Sequence, residues 1–335
     1  MAARLVYSDD SAPGITRRKV RHGWGYWDAD GNRITDRDEI DRLNAIGLPP
    51  AYTDAWFNPK PNGHIQAVGR DEKGRKQYRY HPDFREAQEA EKYEGCALFG
   101  RKLPRLRAKV KADLRRPGLS KDKAVAAVVR LLDLGQLRVG NEGYAKANKS
   151  FGATTLRKRH GKVSGETLRL QFRAKSGKLR QLTVTDRSLA RFVKRCQDLP
   201  DQHLFAWVDD AGEAHGVTSG DVNDYIREAM GEDFTAKHFR TWGASVIAFK
   251  TLVEADKDIG LNTMLAPVTE TLGNTPAIAR KSYVHPLLIE IAKSGNQAAL
   301  RATPLPRPAK YLSRHERGLI ALLENGVPTV HKRAA

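Results

Sequence analysis

The chain has 335 residues, and its 58 lysines and arginines exceed the 39 aspartates and glutamates by 19 charges. No run approaches eighteen consecutive apolar residues, and the N-terminus lacks the apolar core of a signal peptide, so neither a membrane span nor secretion is expected. Cys96 and Cys196 lie far apart and suggest neither a disulfide framework nor a zinc site.

The length and composition predict a soluble protein of two domains. So large a positive excess costs folding free energy by self-repulsion unless a polyanion neutralises it, and nucleic acid is the first candidate for that partner.

The elements between residues 23 and 82 are predicted to be short strands. "GYWDADGNRIT" predicts a hairpin around Asp30 and Gly31, and "HIQAVGRDEKGRKQYRYHP" predicts two strands joined at "DEKG". Because side chains alternate along a strand, Gln77 would lie on one face and Tyr78 and Tyr80 on the other. Residues 1–85 are therefore predicted to form a small antiparallel β domain.

From residue 86 to residue 335 the pattern predicts a larger, mainly helical domain, entered by a helix that begins near residue 83. Ser120 is a plausible N-cap of a second helix. The segment "TLRLQFRAKSGKLRQLTVT" predicts an inserted β-hairpin with Gly177 in its turn. Further helices are predicted at 186–199, 218–231, 235–256 and 309–324. The fold class is thus α+β.

The positive charge is concentrated in residues 101–130, which hold eleven basic and two acidic residues. Such a segment could clamp a nucleic-acid backbone. The alternative is a solvated helix face, which usually mixes both signs.

Several common active sites have no counterpart in the sequence. "GRDEKGRK" lacks the Lys-Ser/Thr ending of a phosphate loop, and neither a His-Glu-x-x-His motif nor a Gly-x-Ser-x-Gly elbow occurs. The histidines are scattered without ligand spacing. If the protein acts on a phosphodiester, we expect it to do so with no metal site and no cofactor.

Metal-free phosphoryl transfer needs fixed cations around the phosphate, a nucleophile and a proton donor for the leaving oxygen. Tyr283 is the candidate nucleophile, because a phenol ionises more readily beside clustered cations. Arg138 and Arg240 could each hold two phosphate oxygens. Lys175, in the turn of the predicted hairpin, is the candidate acid, and Lys237 lies one helical turn before Arg240, where it could reinforce that role.

Four short segments contain these candidate residues and follow one another along the chain. "LRVGNEGY", "FRAKSGK", "AKHFRTWGA" and "LGNTPAIARKSYVHP" together closely resemble the type IB DNA topoisomerases of the poxvirus-like, bacterial branch, and "GRDEKGRKQYRYHP" resembles the DNA-reading strand of that family. The resemblance extends from about residue 23 to about residue 286.

The resemblance implies a C-shaped clamp on double-stranded DNA with the catalytic fold shared by tyrosine recombinases and type IB topoisomerases. Tyr283 would attack a phosphodiester to form a 3′-phosphotyrosyl link, the nicked duplex would swivel, and the freed 5′-hydroxyl would restore the strand without ATP. Arg138 and Arg240 would bind the scissile phosphate, Lys175 would donate to the leaving oxygen and Lys237 would assist. The protein would act as a monomer in the cytoplasm, on the DNA of the nucleoid.

The family pattern also assigns residues that the chemistry alone does not. Asn274 occupies the position nine residues before the nucleophile where the family usually has histidine; an amide can still donate a hydrogen bond but carries no positive charge. Gln77, Tyr78 and Tyr80 align with family residues that touch the major groove, and Tyr144 matches a further DNA-contacting tyrosine.

Other interpretations of the same residues remain open at this level. A tyrosine recombinase shares the catalytic logic, although it typically carries histidine where this chain has Lys237, and its N-terminal domain is helical. Asn274 leaves room for a non-catalytic DNA clamp. Tyr78 and Tyr80 could instead cover the core of the small sheet, and His285 is better explained by a structural role than as a base.

Overall fold

The computed structural model describes residues 4–295 and 297–327. The chain divides into two compact units, Met1–Lys92 and Tyr93–Ala335. The first contains an antiparallel sheet, and the second is mainly helical with an inserted β-hairpin. The predicted α+β class is therefore confirmed.

The first unit is built on a five-stranded antiparallel sheet. Its strands are β1 (Ile15–Val20), β2 (Gly23–Trp27), β3 (Thr53–Phe57), β4 (Ile65–Arg70) and β5 (Lys76–Tyr80), in the order β2-β1-β3-β4-β5. Helix α1 (Arg37–Ala45) contributes Leu43 to a core that includes Phe57 and Ala67 from neighbouring strands. One face of the sheet is thereby covered, and β5 is an edge strand.

The predicted hairpin around Asp30 and Gly31 is present in a short form. Arg33 forms an antiparallel bridge with Trp27, and the Asp28 and Ile34 N–H groups donate to the Asn32 and Tyr26 carbonyls, each at 2.9 Å. The Asp28 carboxylate accepts hydrogen bonds from the backbone N–H groups of Asp30 and Asn32 at 3.0 and 2.8 Å, and Asp36 then caps α1, so the returning arm stays short. The hairpin predicted at "DEKG" is present as β4 and β5.

The second unit contains most of the helices. They are α2 (Pro82–Asp113, which begins in the first unit), α3 (Lys121–Gly135), α4 (Glu142–Asn148), α5 (Arg187–Gln197), α6 (Ser219–Met230), α7 (Ala236–Val253), α8 (Leu261–Leu272), α9 (Pro276–Ser282), α10 (Pro286–Ser294), α11 (Gln297–Ala302) and α12 (Arg314–Asn325). Helices α3 and α7 are buried along most of their length and form the centre of this unit's core.

The inserted sheet consists of β6 (Gly161–Ser164), β7 (Thr167–Arg173) and β8 (Leu179–Thr185), and a small pair of strands, β9 (Ala206–Val208) and β10 (Ala214–Gly216), follows α5. The turn between β7 and β8 matches the prediction, with Gly177 at a φ of 71° that favours glycine. Ser176 also has a positive φ, of 64°, so two consecutive residues of this tip are in the left-handed region.

Many side chains of the basic segment 101–130 form ion pairs within the protein. Arg107 lies between Asp133 and Glu316, with N–O distances of 2.8 and 2.7 Å. Intramolecular ion pairs engage seven of its eleven basic side chains: Arg101, Lys102, Arg107, Lys109, Arg116, Lys121 and Arg130. Much of the charge in this segment therefore stabilises the helical unit itself.

Among the described residues, none of the helices combines the length and the apolar character that a membrane crossing requires.

Candidate active site

The candidate site surrounds the corner between α8 and α9. Gly273 ends α8 with a φ of 68°, and Thr275 caps α9, whose first residue is Pro276. Asn274 is therefore fixed between two helix ends. Helix α9 stops at Tyr283, whose backbone N–H still donates to the Ala279 carbonyl at 3.1 Å, so the phenol is carried at the end of a short, rigid helix.

Arg240 projects from the buried helix α7 and is only 5% exposed. Its Nη1 donates to the Gln136 carbonyl at 2.5 Å and its Nη2 to the Leu272 carbonyl at 3.3 Å. The guanidinium carbon lies 4.7 Å from the centroid of the Tyr283 ring. One cation thus connects the end of α3, the end of α8 and the predicted nucleophile.

Arg138 lies in the loop between α3 and α4, and neighbouring backbone holds that loop. The Arg138 carbonyl accepts from the Ala153 N–H at 2.9 Å, and a Cβ on Gly152 would come within 2.6 Å of that same carbonyl oxygen. Only glycine permits so close an approach. The Arg138 side chain donates from Nη2 to Oδ1 of Asn274 at 3.3 Å, which links this loop to the α8–α9 corner.

The two guanidinium groups change the ionisation of the phenol. Burial alone would raise the pKa of Tyr283, but the charges of Arg240 and Arg138 and their hydrogen bonds to the phenol outweigh burial, and the pKa is lowered. Burial together with the neighbouring cations lowers the pKa of Arg240, although a guanidinium remains protonated throughout the working range. The site therefore makes ionisation of the phenol easier than it is in water.

Two hydrogen-bond donors of this cluster have no acceptor. Nδ2 of Asn274 and Nε of Arg240 are buried, and neither has a hydrogen-bond partner among the described residues. An unsatisfied buried donor costs about 1–3 kcal/mol. Donors left open beside a phenol and two guanidinium groups suit an anion that brings its own oxygens, and this donor set fits a phosphate.

The two candidate lysines are not part of this cluster. Lys175 is exposed in the turn between β7 and β8, and within the described residues it makes no hydrogen bond or ion pair. Lys237 is exposed on the first turn of α7, where its charge lowers the pKa of Asp233 as a minor contribution beside that of Arg227. The structure thus brings together Arg138, Arg240, Asn274 and Tyr283.

The candidate DNA-contacting residues lie at two separate places. In the first unit, Tyr78 and Tyr80 are 38% and 40% exposed and stack at 5.9 Å between ring centroids, which indicates that they share one face of β5. Gln77 donates to Asp71 at 3.0 Å in the turn before that strand. In the second unit, Tyr144 is 51% exposed on the short helix α4.

His285, two residues after Tyr283, has a structural environment. Its Nδ1 accepts the Leu287 N–H at 3.2 Å and so caps α10, and its backbone N–H donates to Oγ of Ser245 at 3.0 Å. Burial lowers the pKa of this imidazole. The ring therefore serves as a neutral helix cap, which agrees with the structural role expected from the sequence.

Most of the chain is similar to known proteins. The profile of the family "Eukaryotic DNA topoisomerase I, catalytic core" matches residues 81–285, and that of "Bacterial DNA topoisomerase IB, N-terminal domain" matches residues 23–71. The DNA topoisomerase 1B of Acanthamoeba polyphaga mimivirus is 33% identical over 292 residues, which cover 83% of this chain and 87% of the viral protein. The chain belongs to the type IB DNA topoisomerases. It is therefore an isomerase whose substrate is DNA, and the resemblance predicted from its motifs is confirmed.

More distant similarities accompany this match. The DNA topoisomerase 1B of vaccinia virus (strain Copenhagen) is 22% identical over 232 residues, which cover 68% of this chain and 73% of the viral protein. Among solved structures, the XerH site-specific recombinase bound to its difH substrate is 12% identical, with a TM-score of 0.38, and the similarity covers 54% of this chain and 48% of the recombinase.

The matched ranges of this topoisomerase include the whole α8–α9 corner, whereas three parts of the chain fall outside both profiles. Residues 1–22 precede the first match, residues 72–80, which include strand β5, lie between the two matches, and residues 286–335 lie beyond the second. The assignment of β5 to DNA reading therefore depends on the motif and on the exposed tyrosines.

Two residues of the candidate site were not predicted from the sequence. Gln136, in the left-handed region with a φ of 44°, directs its carbonyl to Arg240; no sequence pattern singles it out. Arg180 on β8 donates to the carbonyls of Glu270 and Thr271 at the end of α8. A signal for Arg180 did exist, because it continues the alternating inward positions of Leu182 and Val184, where an apolar residue is expected.

Proposed function

We propose that this type IB topoisomerase relaxes positive and negative supercoils by cutting one strand through a 3′-phosphotyrosyl link to Tyr283, letting the duplex swivel, and resealing it without ATP or metal. The observation that carries the proposal is the position of the phenol: the Arg240 guanidinium carbon lies 4.7 Å from the Tyr283 ring centroid. Arg240 and Arg138 also lower the pKa of that phenol. The buried, unpartnered Nδ2 of Asn274 supports it.

The chemical step exchanges one phosphodiester for another. The Tyr283 phenolate attacks phosphorus, a bond forms between the phenolic oxygen and phosphorus, and the bond from phosphorus to the 5′ oxygen breaks. That oxygen keeps the bonding electrons and takes a proton, so a 5′-hydroxyl is freed. Because the bond formed and the bond broken are of the same type, the step is near-isoenergetic and reverses when the hydroxyl attacks the phosphotyrosine.

Each polar group of the site has a role in this step. Arg138 and Arg240 stabilise the charge that builds on the non-bridging oxygens, and the Asn274 amide donates one further hydrogen bond to them. Lys175 protonates the leaving oxygen, since its exposed position at a hairpin tip leaves its ammonium able to approach bound DNA. Lys237 assists from the first turn of α7.

DNA recognition is assigned to the exposed aromatic residues. Tyr78 and Tyr80, with Gln77, contact the major groove from residues 1–85, and Tyr144 contacts DNA from the catalytic domain, residues 86–335. The protein acts as a monomer on double-stranded chromosomal DNA in the cytoplasm. Exposed phenols and an amide suit base edges and methyl groups, which supports this assignment.

Plasmid relaxation tests the proposal directly. Supercoiled plasmid is incubated with the protein in EDTA without ATP, and topoisomers are resolved on a gel. Wild type is expected to relax both negatively and positively supercoiled plasmid. Tyr283→Phe is expected to lose relaxation while keeping salt-sensitive DNA binding, and Tyr7→Phe, which removes a hydroxyl from a tyrosine that is 78% exposed in the other unit, serves as the matched control.

Relaxation that persists in Tyr283→Phe would reject the nucleophile. A wild-type protein that shifts plasmid on a gel but never relaxes it would reject the catalytic proposal in favour of DNA binding alone.

A further inference from the structure

Three arginines converge on the C-terminal end of α8. The last carbonyls of a helix have no partner within the helix, and here side chains satisfy them. Arg180 donates to the carbonyl of Glu270 at 3.1 Å and to that of Thr271, and Arg240 donates to the next carbonyl, that of Leu272, at 3.3 Å. Arg138 binds Asn274 just beyond. The proposed reaction gives roles to Arg138 and Arg240 but none to Arg180.

Arg180 lies where the hairpin stops being buried. It faces Phe172 across the β7–β8 ladder, and Phe172 is 3% exposed. Beyond this pair the tip projects into solvent, since Leu179 is 59% exposed and Lys175 is exposed in the turn. The Arg180 guanidinium also lies 3.6 Å from the position that a Cβ on Gly273 would occupy, next to Asn274.

We propose that Arg180 is a positioning residue that fastens the base of the Lys175 hairpin to the α8–α9 corner, so that the general acid is delivered to the leaving 5′ oxygen of the phosphate held at that corner. This inference rests on the proposed function. A guanidinium that holds two successive carbonyls fixes both distance and orientation. A cation is also favourable at a helix C-terminus, where the helix dipole is negative.

Arg180 differs from Arg138 and Arg240 in its relation to the phenol. Like Arg240, it donates from both terminal nitrogens to backbone carbonyls. Arg138 and Arg240 also hydrogen-bond the Tyr283 phenol, and Arg240 keeps a buried Nε without a partner among the described residues. Removing Arg180 should therefore impair protonation of the leaving group and leave stabilisation of the phosphate largely intact.

Leaving-group chemistry distinguishes these two effects. The cleavage position is first mapped with wild type, and a duplex is then made with sulfur in place of the 5′ bridging oxygen at that position. A thiol ionises with a pKa near 8.5, so the sulfur departs without a proton donor. General acids contribute on the order of 10²–10⁴-fold to rate, and Lys175→Ala should lose much of that factor on ordinary DNA and little on the sulfur duplex.

Arg180→Ala should show the same pattern in single-turnover cleavage. A loss of about tenfold or more is expected on ordinary DNA, with a loss of no more than about threefold on the sulfur duplex, as for any variant that acts through the acid. Arg180→Lys should recover part of the rate. Arg169→Ala is the matched control, because Arg169 is exposed on the neighbouring strand β7 and its loss changes the net charge equally.

A double mutant gives the sharper measurement. If Arg180 acts only through Lys175, Lys175→Ala with Arg180→Ala should be no slower than Lys175→Ala alone. Equal losses on both duplexes, or losses that multiply in the double mutant, would overturn the inference and indicate phosphate contact or general destabilisation. A wild-type protein that forms no covalent adduct on either duplex would instead overturn the proposed function.

Discussion

Tyr283 illustrates how neighbouring charges outweigh burial at the scale of one residue. A phenol ordinarily ionises near pH 10, and here two guanidinium groups lower its pKa despite the cost of burial. Because the folded pKa lies below the unfolded one, ionisation of Tyr283 adds stability above about pH 10, and that contribution disappears as the pH falls through the lowered pKa.

The free enzyme should show this shift in an ultraviolet titration of tyrosine. The difference between wild type and Tyr283→Phe is expected to report one phenol that ionises below the usual pH range. In Arg138→Gln, which keeps a hydrogen-bond donor but removes a charge, that transition should move to higher pH. An unchanged transition in Arg138→Gln would show that Arg138 does not act on the phenol.

The residue at position 274 should decide whether the cleavage rate changes at low pH. In wild type the Asn274 amide cannot gain a charge, so it should add no acidic transition to the curve of cleavage rate against pH. Asn274→Ala should lose roughly 10²-fold in cleavage rate, as for the loss of one transition-state hydrogen-bond donor. Asn274→His should restore activity preferentially as the pH falls, since the imidazolium is the better donor. A flat profile in Asn274→His would contradict this role.

Backbone packing positions the arginines at the scale of the elements. Gly152 lies so close to the backbone of the Arg138 loop that a Cβ would come within 2.6 Å of three of its atoms. The three atoms are the Arg138 carbonyl oxygen and the nitrogen and Cα of Gly140, all of them backbone. An added methyl group could therefore be accommodated only by displacing the loop that carries Arg138.

Gly152→Ala should therefore reduce both stability and cleavage. Overpacking of this kind costs about 1–3 kcal/mol, and a thermal unfolding curve should report it together with a fall in single-turnover rate. Gly220→Ala is the control, because its Cβ would meet only an ordinary contact at 3.6 Å within helix α6. Equal behaviour of the two variants would show that the Arg138 loop tolerates displacement.

The elements also show what sequence can and cannot predict. The hairpin at residues 167–185 was predictable because alternation and the turn glycine are local signals. Arg180 and Gln136 were missed because their importance arises from carbonyls far away in the chain. The turn at Asp30 and Gly31 was predictable for the same reason, but the length of its hairpin was not, because Asp36 caps α1 soon after the bridge between Trp27 and Arg33.

Of the site itself, Arg138, Arg240, Asn274 and Tyr283 could be found from motifs, and the structure brings these four together. The ion pairs of segment 101–130 could not be predicted from its composition. The acidic partners of Arg107 come from α3 and α12, which lie far from it in sequence.

For the whole molecule, we expect the positive excess of 19 to make DNA binding strongly dependent on salt. A protein that makes six to ten phosphate contacts loses about 10³–10⁵-fold in affinity between 50 and 200 mM salt. We expect a loss of that order in a fluorescence-anisotropy titration with duplex DNA. Because segment 101–130 is largely engaged in ion pairs, Arg107→Ala should lower stability and leave the salt slope unchanged. A reduced slope in Arg107→Ala would return this segment to the DNA interface.

The proposed function depends on one step, the attack of a phenolate held between fixed cations on a DNA phosphate. The most direct test of this step is to trap the adduct on duplex DNA, digest with nuclease and trypsin, and sequence the modified peptide by mass spectrometry. We expect a nucleotide joined through its 3′-phosphate to Tyr283, in the peptide spanning residues 282–293. An adduct on another residue, or one joined through a 5′-phosphate, would contradict it.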